Sequence, residues 1–152
     1  MHQTVPRRQE QPVLLCPAVV TDPALLGGVL SVLSYEDLTK VGLTVDEHKM
    51  RRLQGAIVVE LRSAVTQALE DGETESPTGV AQVRIHVHQL DVMPPYWSAR
   101  NLTLRHADGI STFCFDASHT GLEDLLADYT CVDQPSEQDM LTIDIRTGRF
   151  DR

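Results

Sequence analysis

Between residues 68 and 83 the spacing of apolar positions changes from every third or fourth residue to every second one. Met50, Leu53, Ile57, Leu61, Ala64 and Ala68 form a stripe at helical intervals, whereas Val83-Arg84-Ile85-His86-Val87-His88 puts apolar side chains at odd positions and polar ones at even positions. A period near 3.6 buries one side of a helix and a period of two buries one face of a strand, so the chain must combine the two kinds of element. The strands lie close together and alternate cleanly, which is the pattern of an antiparallel sheet with one covered face. The expected class is therefore α+β: N-terminal helices packed on one face of an antiparallel sheet.

Local signals set the boundaries. Thr44 with Glu47 three residues on has the spacing of a capping box and predicts a long amphipathic helix over about 45–69, ending before Gly72. Upstream, Asp22-Pro23 reads as a helix start, and Ser34 with Asp37 as the start of a second short helix ending at Gly42. The proline-bounded apolar run over 12–20 is compatible with an edge strand or an arm exchanged between protomers. Residues 1–12 read as a flexible tail, leaving 13–152 as one α+β domain, a size that buries roughly two-thirds of the unfolded surface.

The second half carries the sheet. Met93-Pro94-Pro95 ends the first strand, and Pro94-Pro95-Tyr96-Trp97 reads as a rigid loop. Asp108-Gly109 between two alternating runs predicts a hairpin in which Leu104 faces Phe113, Thr103 faces Cys114 and Leu102 faces Phe115. A slip of one residue would send each of these side chains to the wrong face. Thr120 and Glu123 suggest a second capping box for a short helix over about 121–128, with Leu122, Leu125 and Leu126 inward. A last strand through Leu141, Ile143 and Ile145 ends at Thr147-Gly148.

Charge narrows the function classes. There are 13 basic and 22 acidic residues, a net charge of −9, and no concentrated basic face of the kind that nucleic-acid phosphates require. No apolar run approaches a membrane span or the core of an export signal. Cys16, Cys114 and Cys131 make an odd set without C-x-x-C spacing, which suits free thiols in a reducing compartment and a cytoplasmic chain.

The sheet face opposite the core would carry Arg84, His86, His88, Thr103, Arg105 and Cys114. An ordinary solvated face explains this pattern, and so does a docking surface. Two histidines at i, i+2 on a strand point the same way, as metal ligands do, but no second spaced pair of ligands accompanies them. Cys114 beside His86 or His88 is the one conceivable nucleophile–base pair. No phosphate-binding glycine loop, nucleophile elbow or zinc-binding helix motif is present.

The residue set thus points to a non-enzymatic protein-binding module without cofactor, a small acidic adaptor, inhibitor or chaperone-like subunit. Its partner would be a protein, basic if charge guides the choice, or a second copy of the chain. The expected contact residues are Tyr96, Trp97, Arg84, His86, His88 and Arg105. The competing expectation is a metal-dependent or cysteine-based enzyme centred on His86, His88 and Cys114.

Overall fold

The structure, a computed structural model, describes residues 17–71, 80–109 and 112–152. In chain order the elements are α1 (Pro17–Thr21), α2 (Pro23–Leu30), α3 (Tyr35–Glu70), β1 (Val80–His88), β2 (Tyr96–His106), β3 (Thr112–Phe115), α4 (Leu122–Val132), β4 (Met140–Asp144) and β5 (Phe150–Asp151). The class is α+β, with an antiparallel five-stranded sheet in the order β3-β2-β1-β4-β5. Contacts group the chain into two compact units, Met1–Thr44 and Val45–Arg152. The proposed tail over 1–12 lies outside the described residues.

In the first unit, Asp22 caps α2 as its sequence position suggests. Its carboxylate accepts the amides of Ala24 (2.9 Å) and Leu25 (3.3 Å), and Pro23 opens the helix. Neither α1 nor α2 buries a residue. The expected edge strand over 12–20 is corrected where it is described, because Pro17 starts a helical turn closed by Thr21 Oγ1 on the Pro17 carbonyl, 3.0 Å away.

The expected break between two helices at Gly42–Thr44 is also corrected. One helix of 36 residues runs through it. Its cap is Ser34, whose hydroxyl accepts the Asp37 amide at 3.2 Å and donates to the Asp37 carboxylate at 2.6 Å. Thr44 instead bonds the Lys40 carbonyl one turn back (2.9 Å), and Glu47 pairs with Arg51. Exposed i,i+4 pairs such as Glu36–Lys40 each contribute only a few tenths of a kcal/mol. An interior glycine costs about 1 kcal/mol relative to alanine, so Gly42 weakens the helix without ending it.

In the second unit the core is continuous. Ile57, Leu61, Ala64, Val65 and Ala68 of α3 join Val83 and Ile85 of β1, Leu102 and Leu104 of β2, Leu141 and Ile143 of β4, and Leu122 and Leu126 of α4. The hairpin register is the one the sequence predicts, with Leu102, Thr103 and Leu104 opposite Phe115, Cys114 and Phe113. Helix α4 extends past 128 to Val132 because Tyr129 continues the stripe of Leu122 and Leu126 and is buried with them. Beyond β4, Gly148 at φ +73° turns the chain back, a left-handed conformation that favours glycine. That turn adds β5, which the sequence did not reveal, and Phe150 packs on Tyr129 with ring centroids 5.7 Å apart.

The largest departure from simple alternation is in β2. Ile85 pairs with Leu102 but Val87 pairs with Trp97, so residues 98–101 stand against His86 alone. This bulge inverts the parity of the strand: even-numbered Leu102 and Leu104 face the core on one side of it, odd-numbered Trp97 on the other. Its polar groups find partners outside the ladder. Glu123 accepts the Ala99 amide at 2.7 Å and the Ser98 hydroxyl at 3.4 Å, and the Ala99 carbonyl accepts the Ala117 amide at 2.8 Å. Glu123 is thus not half of a capping box; Thr120 Oγ1 accepts the Leu122 amide in its place. Removing a partner from a buried amide costs about 1–3 kcal/mol. Glu123→Ala should therefore lower unfolding free energy by about that amount in chemical denaturation, with Glu123→Gln recovering part of it. A loss within the ordinary surface range of about 0.5 kcal/mol would contradict the role given to this carboxylate.

Candidate functional site

The structure divides the sequence-derived contact residues between two places. Arg84, His86 and Arg105 share the polar face of the sheet with Cys114, where strand register sets Cys114, Thr103, Arg84, Thr142 and Asp151 in one row. His86 Nε2 lies 3.1 Å from Thr103 Oγ1, and that hydroxyl lies 3.6 Å from Cys114 Sγ. The imidazole therefore engages a hydroxyl, and no hydrogen bond joins it to the thiol. Arg84 is half-buried between the two threonine strands and its Nε has no hydrogen-bond partner. Among the described residues, no three His, Cys, Asp or Glu side chains gather to hold a metal ion.

His88 and Tyr96 lie at the other place, where the two residues pair across β1 and β2 and their rings meet edge to face at 5.4 Å. The expected loop at Tyr96-Trp97 is corrected, since both residues open β2. Trp97 is 0% exposed and offers no surface to a partner. Its amide donates to Thr130 Oγ1 and its indole Nε1 to the Asp133 carbonyl, each at 3.0 Å, while Arg152 lies over the ring at 5.8 Å. Parity explains the difference between neighbours: the bulge turns Trp97 inward, so Tyr96 is left at the rim.

Beside that rim the chain forms a solvent-open cleft of about 380 Å³. One wall is Met93, Pro94, Pro95 and Tyr96; the other is Ala127, Thr130 and Cys131 of α4, with Gln134 just beyond the helix. Two prolines hold the first wall extended, because each fixes its own φ and restricts the residue before it. Hydrogen bonds fix its distance from the second wall: Gln134 Nε2 donates to the Pro95 carbonyl at 2.5 Å, and Thr130 Oγ1 receives the Trp97 amide. A turn closed by the Met93 amide on the Leu90 carbonyl (3.0 Å) lifts Val92 to 93% exposure next to the opening, with Met93 at 52%. The volume falls within the usual 300–1,000 Å³ range of ligand pockets.

No lining residue of the cleft is charged. Asp124 and Asp128 are exposed on α4, three residues before Ala127 and Cys131 respectively, and Asp91 is exposed in the adjoining turn. Arg152, which also donates to the carbonyl of the lining residue Gln134, is paired with Asp133 and Asp139. Sequence reasoning missed the α4 wall because it ended that helix at 128. The available signal was Ala127 and Cys131, small residues at i, i+4 on the side away from the leucines.

Comparison with known protein families, with curated proteins and with solved structures finds no significant match. Among the described residues, no helix is long and apolar enough to cross a membrane.

The Arg152–Asp139 ion pair is acid-sensitive. The Ser136 amide and the Arg152 guanidinium hold the Asp139 carboxyl down at a pKa of about 2, below its ordinary 3.8. A carboxyl depressed in the folded state adds stability above its unfolded pKa and loses it as pH falls through the folded value. The contribution is therefore complete above roughly pH 4 and fades toward pH 2. A carboxyl titration followed by NMR should give Asp139 a midpoint near 2, and a midpoint at the ordinary carboxylate value would contradict its pairing with Ser136 and Arg152.

Proposed function

We propose that this chain is a non-enzymatic protein-binding module, a small acidic adaptor, inhibitor or chaperone-like subunit that takes its partner at the cleft between residues 93–96 and α4. The observation that carries the reading is an uncharged, open hollow of about 380 Å³ flanked by a turn whose Val92 side chain is almost fully exposed. Scattered apolar residues on a surface need no explanation, but a concave group of them beside a protruding one marks an interaction site. Rigidity adds support: prolines and the hydrogen bonds from Gln134 to Pro95 and from Trp97 to Thr130 hold both walls, so little ordering entropy opposes binding.

The reading keeps His88 and Tyr96 at the contact and gives Arg84, His86 and Arg105 a secondary, polar surface. It keeps the chain in the cytosol on the strength of its three cysteines without C-x-x-C spacing, and away from nucleic acid on the strength of its net charge of −9. A photo-crosslinking side chain placed at Ala127 should yield a discrete protein adduct in the native cell, and the same group at the exposed Asn101 should not. No adduct at Ala127, or the same adducts from both positions, would contradict the reading.

A further inference from the structure

Resting on that reading, we infer that the cleft is built for a cationic amphipathic segment: an apolar anchor side chain that enters between Tyr96 and Ala127, flanked by lysine or arginine. Two features of the site define this occupant. The interior is uncharged and apolar, so the group that enters must be apolar, because burying a charge there without a partner is costly. The surroundings are acidic. Asp124 and Asp128 are exposed on the helix that forms one wall, and Asp91 is exposed two residues before Met93, where the other wall begins.

Nearby cations do not cancel these charges. Arg152 is paired with Asp133 and Asp139, and no lysine or arginine lines the cleft. On a chain of net charge −9, such surroundings attract a basic segment and repel an acidic one. The same charges oppose a second copy, since a symmetric contact at this site would bring the Asp91, Asp124 and Asp128 set of each protomer against the other. An amphipathic helix with a basic polar side meets both demands in one element.

The molecule carries its own reporter. Cys131 lines the cleft and Cys114 is exposed on the polar sheet face, and both are free thiols. The full chain would be labelled with a small thiol reagent and the rate at each cysteine read by mass spectrometry of its peptides. Two probes are added in turn: an amphipathic Leu/Lys peptide and a Leu/Glu peptide with the same apolar pattern.

The Leu/Lys peptide should slow Cys131 about tenfold once its free concentration is ten times Kd. Cys114 should be unaffected, the protection should weaken with salt, and Ala127→Arg should abolish it. In Asp124→Lys/Asp128→Lys the preference should reverse toward Leu/Glu, a variant whose changes lie on the exposed helix surface and spare the core.

Equal protection by both peptides would overturn the cationic preference and leave a purely apolar binding cleft. Protection of Cys131 that appears without peptide and fades on dilution would overturn it in favour of a second copy, leaving the module reading intact. Failure of both peptides at every concentration, with Cys131 as reactive as Cys114, would overturn the inference; an Ala127 photo-adduct would then still uphold the module reading, and its absence would remove that too.

Discussion

The Glu123 carboxylate, bonded to the amide of Ala99 and the hydroxyl of Ser98, holds the point at which β2 changes faces. A strand that kept its alternation through residues 98–101 would send either Trp97 or Leu102 out of the core, and both are fully buried. Burying a side chain as large as tryptophan is worth several kcal/mol, since its truncation in a core typically costs about 3–5 kcal/mol. The bulge forfeits ladder hydrogen bonds, and one carboxylate from α4 together with the Ala117 amide replaces them. Because that carboxylate comes from the first turn of α4, the same contact fixes where the helix lies against the sheet.

The cleft follows from this arrangement. With Trp97 turned inward and tied to Thr130 and Asp133, its neighbour Tyr96 stays at the rim, opposite the outer side of α4. The prolines preceding Tyr96 cannot continue the ladder, so the wall they form stands apart from the sheet and leaves the hollow between itself and the helix. The function proposed for the chain depends on this end of the sheet far more than on its polar face, where His86, Thr103 and Cys114 form a line of hydrogen-bonding groups.

Sequence periodicity was a sound guide wherever one physical rule acted alone. The hairpin register around Asp108-Gly109 was legible because β2 and β3 keep their alternation there. The helical stripe from Met50 to Ala68 was legible because a single face of α3 is buried. It misled where rules competed. Thr44 and Glu47 have the letters of a cap, yet a hydroxyl can as easily bond the carbonyl one turn back, and continuing the helix keeps every backbone bond that a break would forfeit. Thr120 and Glu123 have the same letters, but Glu123 answers a distant amide that no local pattern reveals. Trp97 was misplaced because a bulge is invisible to period-two reasoning, and the cleft was missed because its walls lie more than thirty residues apart in the chain.

The inward turn of Trp97 is where the account is most directly exposed to test. It is the single tryptophan of the sequence, so its fluorescence reports one site. Quenching by acrylamide and iodide should be weak in the folded chain, with a blue-shifted emission that moves to the red and becomes quenchable only on unfolding. Red-shifted, freely quenched emission from a chain that is still folded by circular dichroism would put the indole in solvent and contradict the bulge, the position of α4 and the cleft together.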